Sequence, residues 1–261
     1  DPKNITIGVL GGHSGLDVCH GAKKYGFRTV AVCQKGREKT YSKYYAARKD
    51  GKGCVYEIIL VDDASKDKTV EIAKRLGLRV IIHKKNKGYG GNQKTCYTAA
   101  LKDKADIIVL LHPDYQYDPK KIPEIIKPIQ EGKADVVYGS RMLTKNGAKK
   151  GGMPWWKRLG NSALTLYFKV FLKVRITDVA TGYIAYSRKV LETIPFMGNS
   201  NGMTFDEEAM IQIVSKKFRI AEIPTPTRYE DVSSSTSFPT CVTYGLKLFW
   251  RVIRYKLFNK V

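Results

Sequence analysis

Ala105-Asp-Ile-Ile-Val-Leu-Leu-His-Pro-Asp-Tyr-Gln-Tyr-Asp-Pro119 is the stretch on which the fold turns. Its first half, through Leu111, is a short apolar run rich in β-branched residues. Such a run reads as a strand buried on both faces. Its second half sets Asp114, Gln116 and Asp118 between aromatics. In an open parallel sheet, ligands bind beyond the carboxyl ends of the strands. Cys54–Val61 repeats the pattern upstream: a β-branched strand that ends in Asp62 and Asp63.

The flanking segments fit the same architecture. Ile5–Leu10 reads as a strand, Gly11-Gly-His-Ser-Gly15 as a tight turn, Leu16–Gly26 as a helix and Arg28–Gln34 as a strand, which together make a βαβ unit. Lys35–Gly53 is charged, tyrosine-rich and aperiodic, and reads as a connector. Ser65 is placed to cap a helix that runs to Leu76 and stops at Gly77. Arg79–His83 follows as a strand, Lys84–Asn92 as a glycine-rich loop, then a helix to about Lys102. Asp118 can cap a helix whose first residue is Pro119; Ile122, Ile125, Ile126 and Ile129 share its apolar face, and Pro128 should kink or shorten it. Ala134–Gly139 is a further strand. The alternation predicts an α/β fold, a doubly wound and mostly parallel sheet covered on both faces.

Composition narrows the function. Lys and Arg number 46 against 24 Asp and Glu, a formal net charge of +22. That excess suits an anionic partner, such as a phosphorylated small molecule or a membrane surface. The lysines are spread over the whole chain, which argues against nucleic acid; a lysine-rich thermophile surface accounts for the charge equally well. Cys19, Cys33, Cys54, Cys96 and Cys241 form no C-x-x-C pair, as expected of a reduced, cytoplasmic chain without structural zinc. No signal-peptide pattern is visible, and the apolar run Leu164–Val174 is too short and too charged to span a bilayer.

Asp114 and Gln116 lie two apart on extended backbone and can reach one hard divalent cation. Taken alone, Asp63 beside Ser65 reads better as a turn and cap than as a ligand, and Asp118 reads as a cap. In order along the chain, Val61-Asp-Asp-Ala-Ser-Lys-Asp-Lys-Thr69, His112–Pro119, Gly139-Ser-Arg141, Met153–Asn161, Thr177–Tyr183, Phe205-Asp-Glu-Glu208 and Ile223–Tyr229 resemble the motifs of family 2 glycosyltransferases. The likeness runs over about residues 55–261 and is nearest to polyprenyl- and dolichol-phosphate sugar transferases.

That resemblance implies a GT-A-like nucleotide-sugar-binding fold, a nucleotide diphosphate sugar as donor, Mg2+ or Mn2+, and inversion at the anomeric carbon. Asp62 or Asp63 would hold the nucleotide, with Arg141 and Arg158 on its phosphates; Arg158 can also be an ordinary surface arginine. Asp114 and Gln116 would bind the metal. His112 stands where the family has an aspartate, a change that would weaken the metal site. Thr181, Gly182 and Tyr183 would shape the acceptor side. Asp206 and Glu208 fall where the family places a carboxylate near the reacting sugar, as base or as pocket electrostatics.

Residues 1–54 resemble something else, the N-terminal unit of the archaeal formate-dependent ligase that formylates an aminoimidazole carboxamide ribonucleotide. This implies a chimera: a βαβ graft at a sheet edge, joined within Cys54–Val61, in which His13 and Ser14 would meet a nucleotide phosphate. A non-catalytic nucleotide binder and a ligase fragment are the alternatives it raises. Finally, Trp155-Trp156, the run Leu164–Val174 and Tyr244–Phe258 mix aromatics with cations. Such helices lie in the headgroup plane of an anionic membrane or pack on the sheet with their lysines in water, and both readings stand.

Overall fold

The computed structural model describes residues 6–11, 28–33, 57–75, 77–112, 116–229 and 238–258. One eight-stranded sheet organises them, with strand order β4-β3-β2-β1-β5-β7-β6-β8. The strands are β1 (Thr6–Gly11), β2 (Arg28–Cys33), β3 (Glu57–Asp62), β4 (Arg79–Ile82), β5 (Ile107–Leu111), β6 (Val136–Ser140), β7 (Tyr183–Ser187) and β8 (Ile220–Pro224). All neighbours are parallel except at β7, which runs antiparallel to both β5 and β6. The mostly parallel sheet is therefore as expected. The graft reading placed its βα unit at a sheet edge; instead β1 lies in the interior, between β2 and β5. The helix expected at Leu16–Gly26, the turn holding His13 and Ser14, and the connector Lys35–Gly53 lie outside the described residues, as does Asp114.

Apart from a single helical turn at Gly147–Lys150 and short 3₁₀ turns at Pro119–Lys121 and Phe196–Gly198, the described helices are α1 (Thr69–Arg75), α2 (Gly88–Lys102), α3 (Ile122–Gln130), α4 (Trp155–Leu172), α5 (Arg188–Thr193), α6 (Phe205–Ser215) and α7 (Phe238–Phe258). Alternation along the central strands divides the core. Ile108 and Leu110 of β5, Val136 and Tyr138 of β6, and Ile184 and Tyr186 of β7 face a layer built from α2, α4, α5, α6 and α7. Ile107, Val109 and Leu111 of β5, with Val137, Tyr183 and Ala185, face α3 through Ile122, Ile125 and Ile126. Strands buried on both faces need no polar alternation, which is why β5 reads as one apolar run.

Two local expectations change. Helix α1 begins at Thr69, not after Ser65, because Asp67 Oδ1 accepts from the Thr69 amide (3.1 Å) and hydroxyl (2.6 Å). Ser65 instead closes a turn onto Asp62 Oδ2 (3.1 Å). Helix α2 begins at Gly88, inside the stretch read as a loop, because Asp63 supplies its first amides with an acceptor. Asp118 caps only a 3₁₀ turn over Pro119–Lys121, accepting from the Lys120 amide at 2.9 Å, and the helix expected from Pro119 begins at Ile122.

Candidate active site

The carboxyl ends of β3, β5 and β6 and the start of β7 meet at one edge of the sheet, as the parallel topology requires. Pairing of Leu111 with Tyr183 brings the residue after β5 beside the residue before β7, and the His112 amide donates to the Gly182 carbonyl at 3.1 Å. A β-carbon on Gly182 would overlap the His112 imidazole, so only glycine leaves room for that ring. Thr181 donates to the Gly139 carbonyl (2.6 Å), and Tyr117 OH accepts from the Gly182 amide (2.9 Å). Thr181, Gly182 and Tyr183 therefore shape the edge by locking β6, β7 and Tyr117 together. Gln116, with its side chain buried at the same edge, is tied there by its carbonyl, which accepts from the Arg228 amide at 2.9 Å.

The two acids after β3 separate into different roles. Asp63 has both oxygens engaged: Oδ1 with His83 Nδ1 (2.7 Å) and the Lys87 amide (2.8 Å), Oδ2 with the Gly88 amide (3.1 Å). It thus caps the positive end of α2. Burial alone would raise its pKa; the His83 bond and the two amides outweigh that and hold it below the usual value. Asp62 is buried, and its Oδ1 has no hydrogen-bond partner.

Helix α6 carries three consecutive acids, all buried. Glu208 is fully engaged, accepting from the Ser200 amide (2.7 Å) and Thr204 hydroxyl (2.8 Å) and pairing with Arg251 of α7 (3.2 Å). Glu207 accepts from Tyr244 OH of α7. Asp206 accepts through Oδ2 from Tyr89 OH at 2.6 Å, while its Oδ1 is buried without a partner. Tyr89 OH also meets His112 Nε2 at 2.7 Å, and their rings stand edge-on at 5.6 Å. Burial pushes Asp206 up to about 7. Burial, reinforced by the charge of Asp206, pushes Glu207 up to about 8.

For a carboxyl raised by folding, stability is full below its ordinary value, here 4.5, and is lost as pH rises toward the folded value near 8. Glu207→Gln keeps the acceptor for Tyr244 and removes the charge. It should therefore raise the thermal midpoint at pH 8.5 by roughly 2–4 °C per kcal/mol relieved, and leave it almost unchanged at pH 5. Paired calorimetric scans at the two pH values check this.

Arg141 is tied to groups of its own chain. Its Nε and NH2 bond Asp178 Oδ2 and Oδ1, each at 2.7 Å; NH1 meets Tyr229 OH at 3.0 Å, and NH2 also meets the Ala180 carbonyl. Burial alone would raise Asp178, but the adjoining guanidinium and Asn161 outweigh it and hold the carboxyl below its usual range. Arg158, half-buried near the start of α4, lines a small open pocket with Met142, Thr144, Asn146 and Lys149.

The model of glycosyl transferase family 2 matches residues 30–194, more than half of the chain. The chain belongs to glycosyl transferase family 2. It is a nucleotide-sugar glycosyltransferase, which sets aside the alternatives of a non-catalytic binder and a ligase fragment. The match begins inside residues 1–54, at β2, and gives the chimera no support. An uncharacterized protein of Methanocaldococcus jannaschii is 34% identical to this transferase over 203 residues, covering 77% of this chain and 81% of the other. The UDP-N-acetylglucosamine–dolichyl-phosphate N-acetylglucosaminyltransferase of Methanococcus voltae is 31% identical over 217 residues, covering 77% of this chain and 85% of its own. Among solved structures, glucosyl-3-phosphoglycerate synthase from Mycobacterium tuberculosis superposes with a TM-score of 0.56 at 17% identity, covering 96% and 87% of the two chains. The transferase thus has a GT-A-like, Rossmann-like α/β fold.

Tyr89 is the site residue that sequence reasoning missed. It falls in Lys84–Asn92, where glycines mask the helix start, and nothing local signals a hydrogen bond to a residue 117 positions away.

Proposed function

We propose that this transferase moves a hexose from a nucleoside diphosphate sugar to a polyprenyl phosphate at an anionic membrane surface. The observation that carries the site is the free Oδ1 of Asp206, buried beside His112 at the carboxyl edge of the sheet. Asp62 is the better nucleotide ligand of the two acids after β3, because its Oδ1 is unpartnered whereas Asp63 has both oxygens engaged. Arg158 remains for the donor's phosphates, since Arg141 is held by Asp178.

The donor atoms at this edge suit a hard divalent cation: carboxylate and amide oxygens, with the His112 imidazole engaged by Tyr89 and the His83 imidazole by Asp63 and Thr95. Asp114 and Gln116 would hold Mg2+ or Mn2+, which when bound offsets charge on the leaving diphosphate. Among the described residues no three His, Cys, Asp or Glu side chains cluster as cation ligands, and Asp114 lies outside them.

The polyprenyl acceptor is supported by the Methanococcus voltae relative, named for dolichyl phosphate, and by the outer surface of α4 and α7. One face of α7 packs inward through Leu248 and Val252, both fully buried. Tyr167 of α4 stacks on Phe249 at 5.0 Å and donates to its carbonyl at 2.9 Å. The opposite faces leave Trp155, Leu166 and Val170 on α4 and Leu246, Trp250 and Leu257 on α7 largely exposed. Lys169, Lys247, Arg254 and Lys256 lie on the same helices. No described helix is long and apolar enough to cross a membrane.

Each cation near an anionic surface adds about 1 kcal/mol. The protein should therefore float with vesicles rich in anionic lipid at low ionic strength, and transfer labelled sugar to polyprenyl phosphate embedded in them. Equal recovery in the soluble fraction with and without anionic lipid would remove the membrane and favour a water-soluble acceptor.

A further inference from the structure

The hydroxyl of Tyr89 joins three chain segments. It lies 2.6 Å from Asp206 Oδ2 in the first turn of α6, 2.7 Å from His112 Nε2 after β5, and 2.7 Å from Gln93 Nε2 one turn along α2. A phenol has one proton and two lone pairs. Gln93 presents Nε2, which can only donate, so it takes one lone pair. The phenol proton goes to Asp206, and the second lone pair accepts from His112. All of the hydroxyl's capacity is then used, and Asp206 is left with Oδ1 alone unpartnered.

The surroundings hold Tyr89 rigidly. Asp63 takes the amides of Lys87 and Gly88, and the Asn201 carbonyl takes that of Gly90 at 2.8 Å. A β-carbon at Gly90 would overlap the Ser200 carbonyl and lie 2.9 Å from Phe205 Cβ. The start of α2 is thus pressed directly onto the segment that leads into Asp206.

We propose that Tyr89 is a positioning residue: its hydroxyl anchors the Asp206 carboxylate by Oδ2 and presents Oδ1 to the reacting sugar. This rests on the placement of Asp206 at the reacting centre. An aspartate χ2 is a broad, roughly two-fold rotor, so a carboxylate held at neither oxygen has no unique orientation. Tyr89 also favours the charged form of Asp206 against the burial that opposes it.

Among the described residues, the titratable groups that face Asp206 besides Tyr89 are Glu207 on α6, Tyr97 on α2, His112 after β5, Tyr138 on β6, Tyr186 on β7 and Tyr244 on α7. Burial holds these tyrosines well above their ordinary value, hence neutral. Glu207 is the neighbouring acid whose charge also changes near neutrality, so each pH profile is taken in the Glu207→Gln background as well.

Tyr89→Phe should leave the thermal midpoint close to wild type and the KM for donor within about twofold, while kcat falls about 10- to 100-fold. The acid limb of its kcat–pH profile should move to higher pH. Incorporation of 3,5-difluorotyrosine at position 89 keeps the ring and strengthens the donor, and should move that limb to lower pH; it serves equally if the Phe variant does not fold. An unchanged kcat and an unmoved limb in these variants, with Asp206→Asn impaired, would overturn the role of Tyr89 alone. A fully active Asp206→Asn would overturn the placement of Asp206, and this inference with it.

Discussion

Replacing Arg141 by alanine should lower the unfolding free energy by about 3–5 kcal/mol while leaving donor affinity in the surviving folded fraction unchanged. The cause is the carboxylate it would abandon. Asp178 is fully buried, and two guanidinium nitrogens and the Arg141 amide satisfy most of its acceptor capacity. After the substitution only that amide and Asn161 Nδ2 remain from the present set. Tyr229 OH and the Ala180 carbonyl lose a donor as well. Replacing both partners, as in Arg141→Met with Asp178→Asn, removes the stranded charge and should recover much of the loss. The pH dependence has a definite sign. Because folding lowers the Asp178 pKa, the pair's contribution is full above the ordinary value of 3.8 and disappears as pH falls through the lower folded value. Urea titrations at pH 7 and pH 3 should show a large gap between wild type and variant at the first and a smaller one at the second. A variant with wild-type stability but a raised KM for donor would return Arg141 to the phosphates.

The difference between Arg141 as a phosphate ligand and Arg141 as a buried tie shows where sequence reasoning stops. A guanidinium after a strand end suits a phosphate, and the sequence contains that fact. It does not contain the return of Asp178, 37 positions later, to the same spot. The sheet was legible because β3, β5 and β6 are apolar on both faces and the first two empty into acids. The placement of β7 between β5 and β6 was not, because an antiparallel strand buried on both faces carries the same apolar pattern as a parallel one. The interior position of β1 was hidden for a similar reason, since strand order leaves little trace in a βαβ pattern. Within Phe205–Glu208, the family resemblance points to Asp206 and Glu208, not to Glu207, and leaves the role of each open. All three are buried, and only their partners distinguish them: Tyr89 for Asp206, Tyr244 for Glu207, and Ser200, Thr204 and Arg251 for Glu208.

That ranking leads to the largest expected effect on catalysis. Asp206→Asn should reduce kcat by about 10²–10⁴, the range for loss of a positioned acid–base group, with little change in donor affinity. Asparagine matches the carboxylate in shape, and its carbonyl can still accept from Tyr89, so the fold should persist. Removal of a buried charge should even raise the thermal midpoint at alkaline pH, because the folded value near 7 lies above the ordinary 3.8 and charging the group costs stability as pH rises between them. Wild-type kcat should climb as pH passes through about 7 and then level. The climb follows from the carboxylate being the working form in either role. An acceptor hydroxyl needs it to take a proton, whereas an acceptor phosphate is already ionised and needs only an anion beside the positive charge that develops on the sugar. The two roles separate in the variant: the first predicts a loss near the top of the range and partial rescue by small exogenous carboxylates, the second a smaller loss without rescue. Glu208→Gln is the control. It weakens the tie to Arg251 and should cost stability, yet leave kcat within about twofold, a change worth about 0.4 kcal/mol. If Glu208→Gln abolished turnover while Asp206→Asn remained active, the catalytic carboxylate would be Glu208, and the free Oδ1 of Asp206 would have no part in the chemistry.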